Sequence, residues 1–182
     1  EFLAGGRFTL GTAVGHLEKE FEVLGIPFNK RGAMTDEYLA AIKVAWTSDK
    51  PEFEGEFVRF KDITIEPKPI QKPHIPIVVG GYADAAFSRA VRFGAGWYGF
   101  NLDPARTKGM LAKLDEAFTR AGKKRGPDYQ VIVTPPVTAG PETVTEYAAL
   151  GVHRLVVMLG SQRPEKIDQR LPELEQWVKA AG

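Results

Sequence analysis

Apolar positions along the chain alternate between two spacings. Short runs at residues 7–14, 77–79, 96–99, 129–134 and 154–159 predict strands. Residues 17–24, 35–46, 83–92, 104–121, 142–150 and 164–180 carry apolar residues at helical spacing instead. In the second of these, Tyr38, Leu39, Ile42, Ala45 and Trp46 recur at i, i+1, i+4, i+7 and i+8. Asp36 and Glu37 then fall in the expected first turn, where the helix dipole favours acids. Pro104 suits a first helical position and Gly122 a stop. Residues 53–65 (FEGEFVRFKDITI) alternate polar and apolar around Gly55 and predict a small hairpin. The segment EPKPIQKPHIP, with four prolines in eleven residues, predicts an extended connector.

Strands alternating with helices imply right-handed crossovers and a parallel sheet. The expected class is therefore α/β, in one domain over residues 1–182, with the hairpin and proline-rich stretch inserted at about 51–76. Five βα units fit an open doubly wound sheet. They also fit part of a (β/α)8 barrel, whose full form needs about 250 residues. The pattern by itself leaves both open. The chain opens on Glu1, in EFLAGGRFTLG, which reads as a helix end, a Gly-Gly stop and a strand. The expectation is a chain that starts partway through a larger protein.

Composition narrows the function classes. Hydrophobic residues make up 43% and charged residues 26%, as in an ordinary globular protein. A net charge of +1 gives no reason to expect a nucleic-acid or membrane partner. No apolar run approaches the roughly 20 residues of a membrane span. The absence of cysteine removes disulfides, thiol nucleophiles and thiolate metal sites, and a cytoplasmic location is expected.

Chemistry is best sought at strand ends. Gly80 and Gly81 stand where a buried-looking strand hands over to a helix. The free amides of a helix N-terminus make an anion site, and glycines admit close approach to the backbone. Gly80, Gly81, Tyr82 and Ala83 are thus a candidate phosphate cradle; a merely tight βα turn would look the same. LGTAVGH is a second glycine-bearing strand end, with Thr12, Val14 and Gly15. His16 follows it, with a side chain suited to acid–base work, or simply a surface histidine at a helix start. His74, in the proline-rich connector, reads as structural, and His153, just before a strand, reads as a capping or surface residue. No metal-binding spacing links the three histidines. Ser161 lacks a nucleophile-elbow context. Asp36 and Glu37 read as solvated. Trp97 and Tyr98 wall a ligand or pack in the core, and Gly160, Ser161 and Arg163 form a further candidate anion site.

Taken together, RFTLGTAVGHLEKEFEVLGIPFNKRGAMTDEYLAAIKVAWT, FVRFKDITIEPKPIQKPHIPIVVGG and RAVRFGAGWYG resemble the luciferase-like monooxygenase superfamily, in particular its F420- or FMN-dependent oxidoreductase branch. The resemblance runs from about residue 5 to about residue 160. It implies a partial (β/α)8 barrel carrying FMN or coenzyme F420, with hydride transfer at the cofactor ring on a small organic substrate. It implies that Gly80, Gly81, Tyr82 and Ala83 hold the cofactor phosphate through backbone amides. It places Thr12, Val14 and Gly15 near the ring, Lys19 at a cofactor-contacting position and Trp97 on the substrate side. In some relatives the position of His16 carries a proton-donating carboxylic acid, so His16 is the expected proton donor. The family's first three βα units have no counterpart here. A homodimer, or a missing N-terminal barrel segment, is therefore expected to cover the open edges. The rival expectation is a catalytically inactive partial barrel acting as a self-associating module. A third is an unrelated open α/β phosphate-binding enzyme.

Overall fold

The computed structural model describes residues 1–159 and 164–182, which divide into two compact units, Glu1–Ala95 and Gly96–Gly182. In the first, β1 (Leu10–Thr12) pairs in parallel with β4 (Ile77–Gly80), in the register Leu10↔Ile77, Gly11↔Val78 and Thr12↔Val79. Between them lie α1 (Glu18–Val23), a 3-10 turn at Phe28–Lys30, α2 (Arg31–Thr47) and a two-stranded antiparallel hairpin, β2 (Phe53–Glu54) and β3 (Arg59–Phe60). The connector carries cis prolyl bonds at Pro67 and Pro73. Helix α3 (Asp84–Phe93) follows β4 and presses Ala86, Phe87, Ala90, Val91 and Phe93 into the core beside Ile77, Val78 and Val79.

The second unit holds β5 (Gly96–Phe100), β6 (Gln130–Thr134) and β7 (Arg154–Leu155), again parallel, with α4 (Pro104–Arg120), α5 (Val144–Ala149) and α6 (Pro164–Ala181). Pro104 is at the start of α4, where the Asp103 carboxylate caps the Arg106 amide at 2.7 Å, and Gly122 (φ +66°) follows the helix end. The core combines Trp97, Leu114, Val131, Val133 and Tyr147. The Tyr147 hydroxyl donates to Leu102 O at 2.6 Å, tying α5 to the loop after β5. Burial first, then the Asp103 and Glu146 carboxylates, push that phenol up to about 12. The chain is thus a parallel α/β protein with a small hairpin insertion, as its sequence predicts.

Two expectations need correction. Helix α2 starts at Arg31, one turn before Thr35, so Asp36 and Glu37 lie in its second turn and its first turn holds no acid. Neither is simply solvated. Asp36 receives both Nε (2.6 Å) and Nη2 (3.0 Å) of Arg89, a guanidinium only 4% exposed, whose Nη2 also reaches Gly32 O at 3.0 Å. Glu37 accepts the backbone amides of Glu56, Phe57 and Val58 at 2.9, 2.7 and 2.6 Å. Both carboxylates are consumed by long-range contacts that a helical stripe does not reveal. The stripe itself is only partly used: Leu39 is its one buried member and Tyr38 is 40% exposed, while the buried Ala41 lies outside it.

Candidate functional site

The register of β1 on β4 builds the site. The strands are parallel and adjacent, so the chain leaves Thr12 and Gly80 at the same end of the sheet. The two glycine-bearing turns predicted separately are brought together by that pairing. In the first, Ala13, Val14 and Gly15 lead into α1; in the second, Gly81, Tyr82 and Ala83 lead into α3.

Both turns depend on glycine. Gly81 has φ +132°, and a Cβ there would lie 2.8 Å from the Ala86 Cβ. The positive φ disfavours an L side chain and the close approach of α3 excludes one. Gly15 has φ +80°, and its Cβ would press 2.8 Å from the Phe21 ring. Gly11, within β1, is different: a Cβ there meets no atom within 4 Å, so no contact in the chain demands a glycine.

The N-terminus of α3 has the chemistry of an anion cradle. The Ala86 amide bonds Ala83 O at 2.8 Å and the Phe87 amide bonds the same oxygen at 3.1 Å. The amides of Asp84 and Ala85 precede these first bonds, and no side chain caps the helix. Tyr82, Ala83, Asp84 and Ala85 are exposed. The helix dipole adds a partial positive charge, which the Asp84 carboxylate in the first turn partly offsets.

The remaining predicted residues are distributed as follows. His16 is exposed in the turn before α1. Lys19 is exposed on α1 and pairs with Glu22 at 2.7 Å, so its ammonium already has an anionic neighbour. Trp97 lies in the second unit with no exposed surface; its burial supports core packing rather than a ligand wall. Tyr98, half-buried beside it, shares a hydrogen bond with the Thr134 hydroxyl at 2.7 Å. His74 Nδ1 donates to Ile75 O at 2.8 Å. His153 Nδ1 accepts the Val131 amide at 3.1 Å, which leaves Nε2–H to donate to Pro127 O at 3.2 Å. Both rings thus hydrogen-bond backbone groups, and His153 does so at an exposed position. Gly160, Ser161 and Arg163 lie outside the described residues. Among the described residues no group of acids and histidines could hold a metal, and no helix is long and apolar enough to cross a membrane.

What sequence reading missed is Arg89, the internal brace of α3. Its sequence signal is faint: an arginine between Phe87, Ala90 and Val91, on the face that the apolar pattern assigns to the core.

Comparisons with known proteins give the same direction. A family model described as luciferase-like monooxygenase matches residues 1–180. An uncharacterized protein of Mycobacterium tuberculosis is 37% identical over 121 residues, 66% of this chain and 41% of that protein. An FMNH2-dependent dimethylsulfone monooxygenase of Pseudomonas putida is 35% identical over 120 residues, 64% of this chain and 32% of that enzyme. The chain therefore spans less than half the length of these two relatives. Among solved structures, monooxygenase RslO1 from Streptomyces bottropensis shares the fold at a TM-score of 0.63 and 21% identity, covering 98% of this chain and 53% of that one. An F420-dependent secondary alcohol dehydrogenase does so at 0.62 and 18%, covering 98% and 62%. A match running from the first residue almost to the last, on a parallel α/β fold with glycine turns at adjacent strand ends, leads to one conclusion: the chain belongs to the luciferase-like monooxygenase family.

Proposed function

We propose that the chain is the cofactor-binding part of a flavin- or F420-dependent oxidoreductase acting on a small organic substrate. The observation that carries the proposal is the β1–β4 register, which sets the Thr12–Gly15 turn beside an uncapped α3 N-terminus. FMN and F420 each present a phosphate and a flat tricyclic ring, and the two turns offer one feature for each.

Backbone amides at Gly81, Tyr82, Ala83 and Asp84 bind the phosphate, and the missing Cβ of Gly81 keeps α3 close to β4. Gly80 ends the strand without a side chain to obstruct the approach. Thr12, Val14 and Gly15 line the ring, with Gly11 leaving the strand surface low beside them. His16 is the proposed proton donor, as an exposed imidazole in the turn that follows the strand end. Lys19 contributes long-range positive charge, tempered by Glu22. The bound cofactor would supply the hydride chemistry, while the protein orients it and limits water access.

The experiment is a fluorescence titration of the purified chain with FMN, F420 and riboflavin. The cradle reading expects FMN or F420 to bind at least about tenfold more tightly than riboflavin, which lacks the phosphate, because charge-assisted hydrogen bonds carry roughly 1.5–3 kcal/mol each. Equal binding of FMN and riboflavin, without F420 binding, would remove the phosphate cradle. No binding of any of the three would remove the cofactor role of this chain.

A further inference from the structure

Helix α3 is held by more than apolar packing. Its buried face consists of Ala86, Phe87, Ala90, Val91 and Phe93, with one charged member, Arg89. The Arg89 guanidinium meets a single turn of α2. Asp36 accepts its Nε at 2.6 Å and its Nη2 at 3.0 Å, and Gly32 O, four residues earlier, accepts Nη2 at 3.0 Å. Taking such a pair out of water gains little stability over apolar side chains of the same volume. What a two-pronged pair adds is geometry, because the planar fork fits a carboxylate in one orientation. Apolar side chains hold a helix against a sheet; the fork also fixes its rotation and its height.

The part of α3 that uses such precision lies one turn from the brace. Ala86, three residues before Arg89, is the residue whose Cβ closes on Gly81. The Asp84 and Ala85 amides, which precede the first intrahelical bonds, lie about 6–8 Å along the axis from Arg89 at the usual helical rise. Hydrogen bonds weaken steeply when the donor is misdirected, and a binding constellation works only within about 0.5 Å of its productive geometry. Gly81 sets how near α3 comes to β4, and the Arg89–Asp36 pair sets how the helix is turned there.

We propose that Arg89 and Asp36 are positioning residues for the cofactor phosphate. Acting through α3, they aim its N-terminal amides and so set the preference for a phosphorylated cofactor over its phosphate-free core. This inference rests on the cofactor reading above. Neither side chain touches the cofactor. The turn at Thr12–Gly15 hangs from β1 and α1, so ring binding does not depend on the pair. The coupling is reciprocal: a phosphate seated on the amides must tighten the brace by the same factor by which the brace tightens the phosphate.

The test compares the whole wild-type chain with Asp36→Asn and Arg89→Lys. Asp36→Asn keeps the shape of the side chain and one acceptor, and Arg89→Lys keeps the charge without the fork. Each is titrated with FMN and riboflavin, and with F420 and its phosphate-free deazaflavin core. The ratio of phosphorylated to phosphate-free affinity is expected to fall at least about threefold in both variants, as when a charge-assisted hydrogen bond is misaligned. Affinity for the phosphate-free core should stay within about twofold, as for independent sites. A variant that merely loosened the fold would lower both affinities together. A second measurement does not depend on how the variants fold. In 15N-labelled wild-type protein, exchange of the Arg89 Nε–H should slow on adding the phosphorylated cofactor and not on adding its core; Arg89→Lys identifies the resonance. A wild type that binds none of the compounds, or binds them without regard to phosphate, removes the cofactor or cradle reading and this inference with it. A wild type that prefers the phosphorylated form while both variants keep its ratio overturns the positioning role alone. So does an Arg89 Nε–H whose exchange is indifferent to the phosphate.

Discussion

Single residues carry much of what is distinctive here, and Gly81 is the sharpest case. Its φ of +132° and the 2.8 Å approach of the Ala86 Cβ are independent reasons against a side chain. Gly81→Ala is expected to destabilise the protein by about 1–3 kcal/mol, the usual range for forced backbone strain, and to weaken FMN or F420 binding with it. Urea unfolding and the cofactor titration measure the two effects separately. Unchanged stability would mean that α3 has slack the structure does not show. The Gly80-Gly81 pair was visible in the sequence because a strand running directly into a helix leaves few residues to make the turn. The commitments of Asp36 and Glu37 were not visible. Their partners lie 53 and 19–21 positions away, and neither pairing has a local period to betray it.

Among the elements, α2 is the organiser of the first unit, and it works through two adjacent carboxylates. Asp36 holds α3 through Arg89. Asp36→Ala would leave a guanidinium that is 4% exposed with only Gly32 O, and a loss of about 3 kcal/mol is expected in chemical denaturation, since an unpaired buried charge costs more than a neutral group. Glu37 holds the hairpin. Its partial burial opposes its charge, but the Val58, Phe57 and Glu56 amides, with the Arg59 charge nearby, outweigh that and keep its carboxyl below the usual carboxylate range. A group lowered in the folded state contributes stability above its unfolded pKa, and that contribution is lost as pH falls through the lowered value. Hydrogen exchange at the Glu56, Phe57 and Val58 amides should therefore accelerate, beyond its intrinsic pH dependence, as the solution is acidified past the ordinary carboxylate range. Glu37→Gln should abolish that added dependence. The elements themselves were largely legible: the strand at 77–80, the helix from Pro104 and the hairpin around Gly55 all follow from local pattern. The lengths of weakly paired strands were not. β7 is two residues rather than six because its register on β6 extends only over Ile132↔Arg154 and Val133↔Leu155.

For the whole molecule, the question is what meets its exposed apolar surface. In the first unit, Leu3 is fully exposed, and Val23 and Leu24 are 78% and 70% exposed. β1 pairs there with β4 on one side, which leaves its other edge without a strand in that unit. Exposed apolar side chains and an unpaired strand edge each favour association between copies. Sedimentation equilibrium should show the average mass rising with loading concentration, and Val23→Glu with Leu24→Lys should reduce that rise. A monomer at every concentration would contradict this expectation. The parallel α/β class was legible from alternating periods alone. The adjacency of the two glycine turns was not, because pairing between residues nearly seventy positions apart leaves no trace in either segment. The grip of Glu37 has a further consequence for what the molecule can tolerate. The carboxylate contacts amides, not side chains, so it reads the path of the hairpin loop and ignores its spelling. Substitutions at 56, 57 and 58 should leave the clasp intact unless they introduce proline, the one residue with no amide hydrogen to offer. The hairpin tip is thus a place where new surface chemistry can be written onto this protein without disturbing the fastening that holds it.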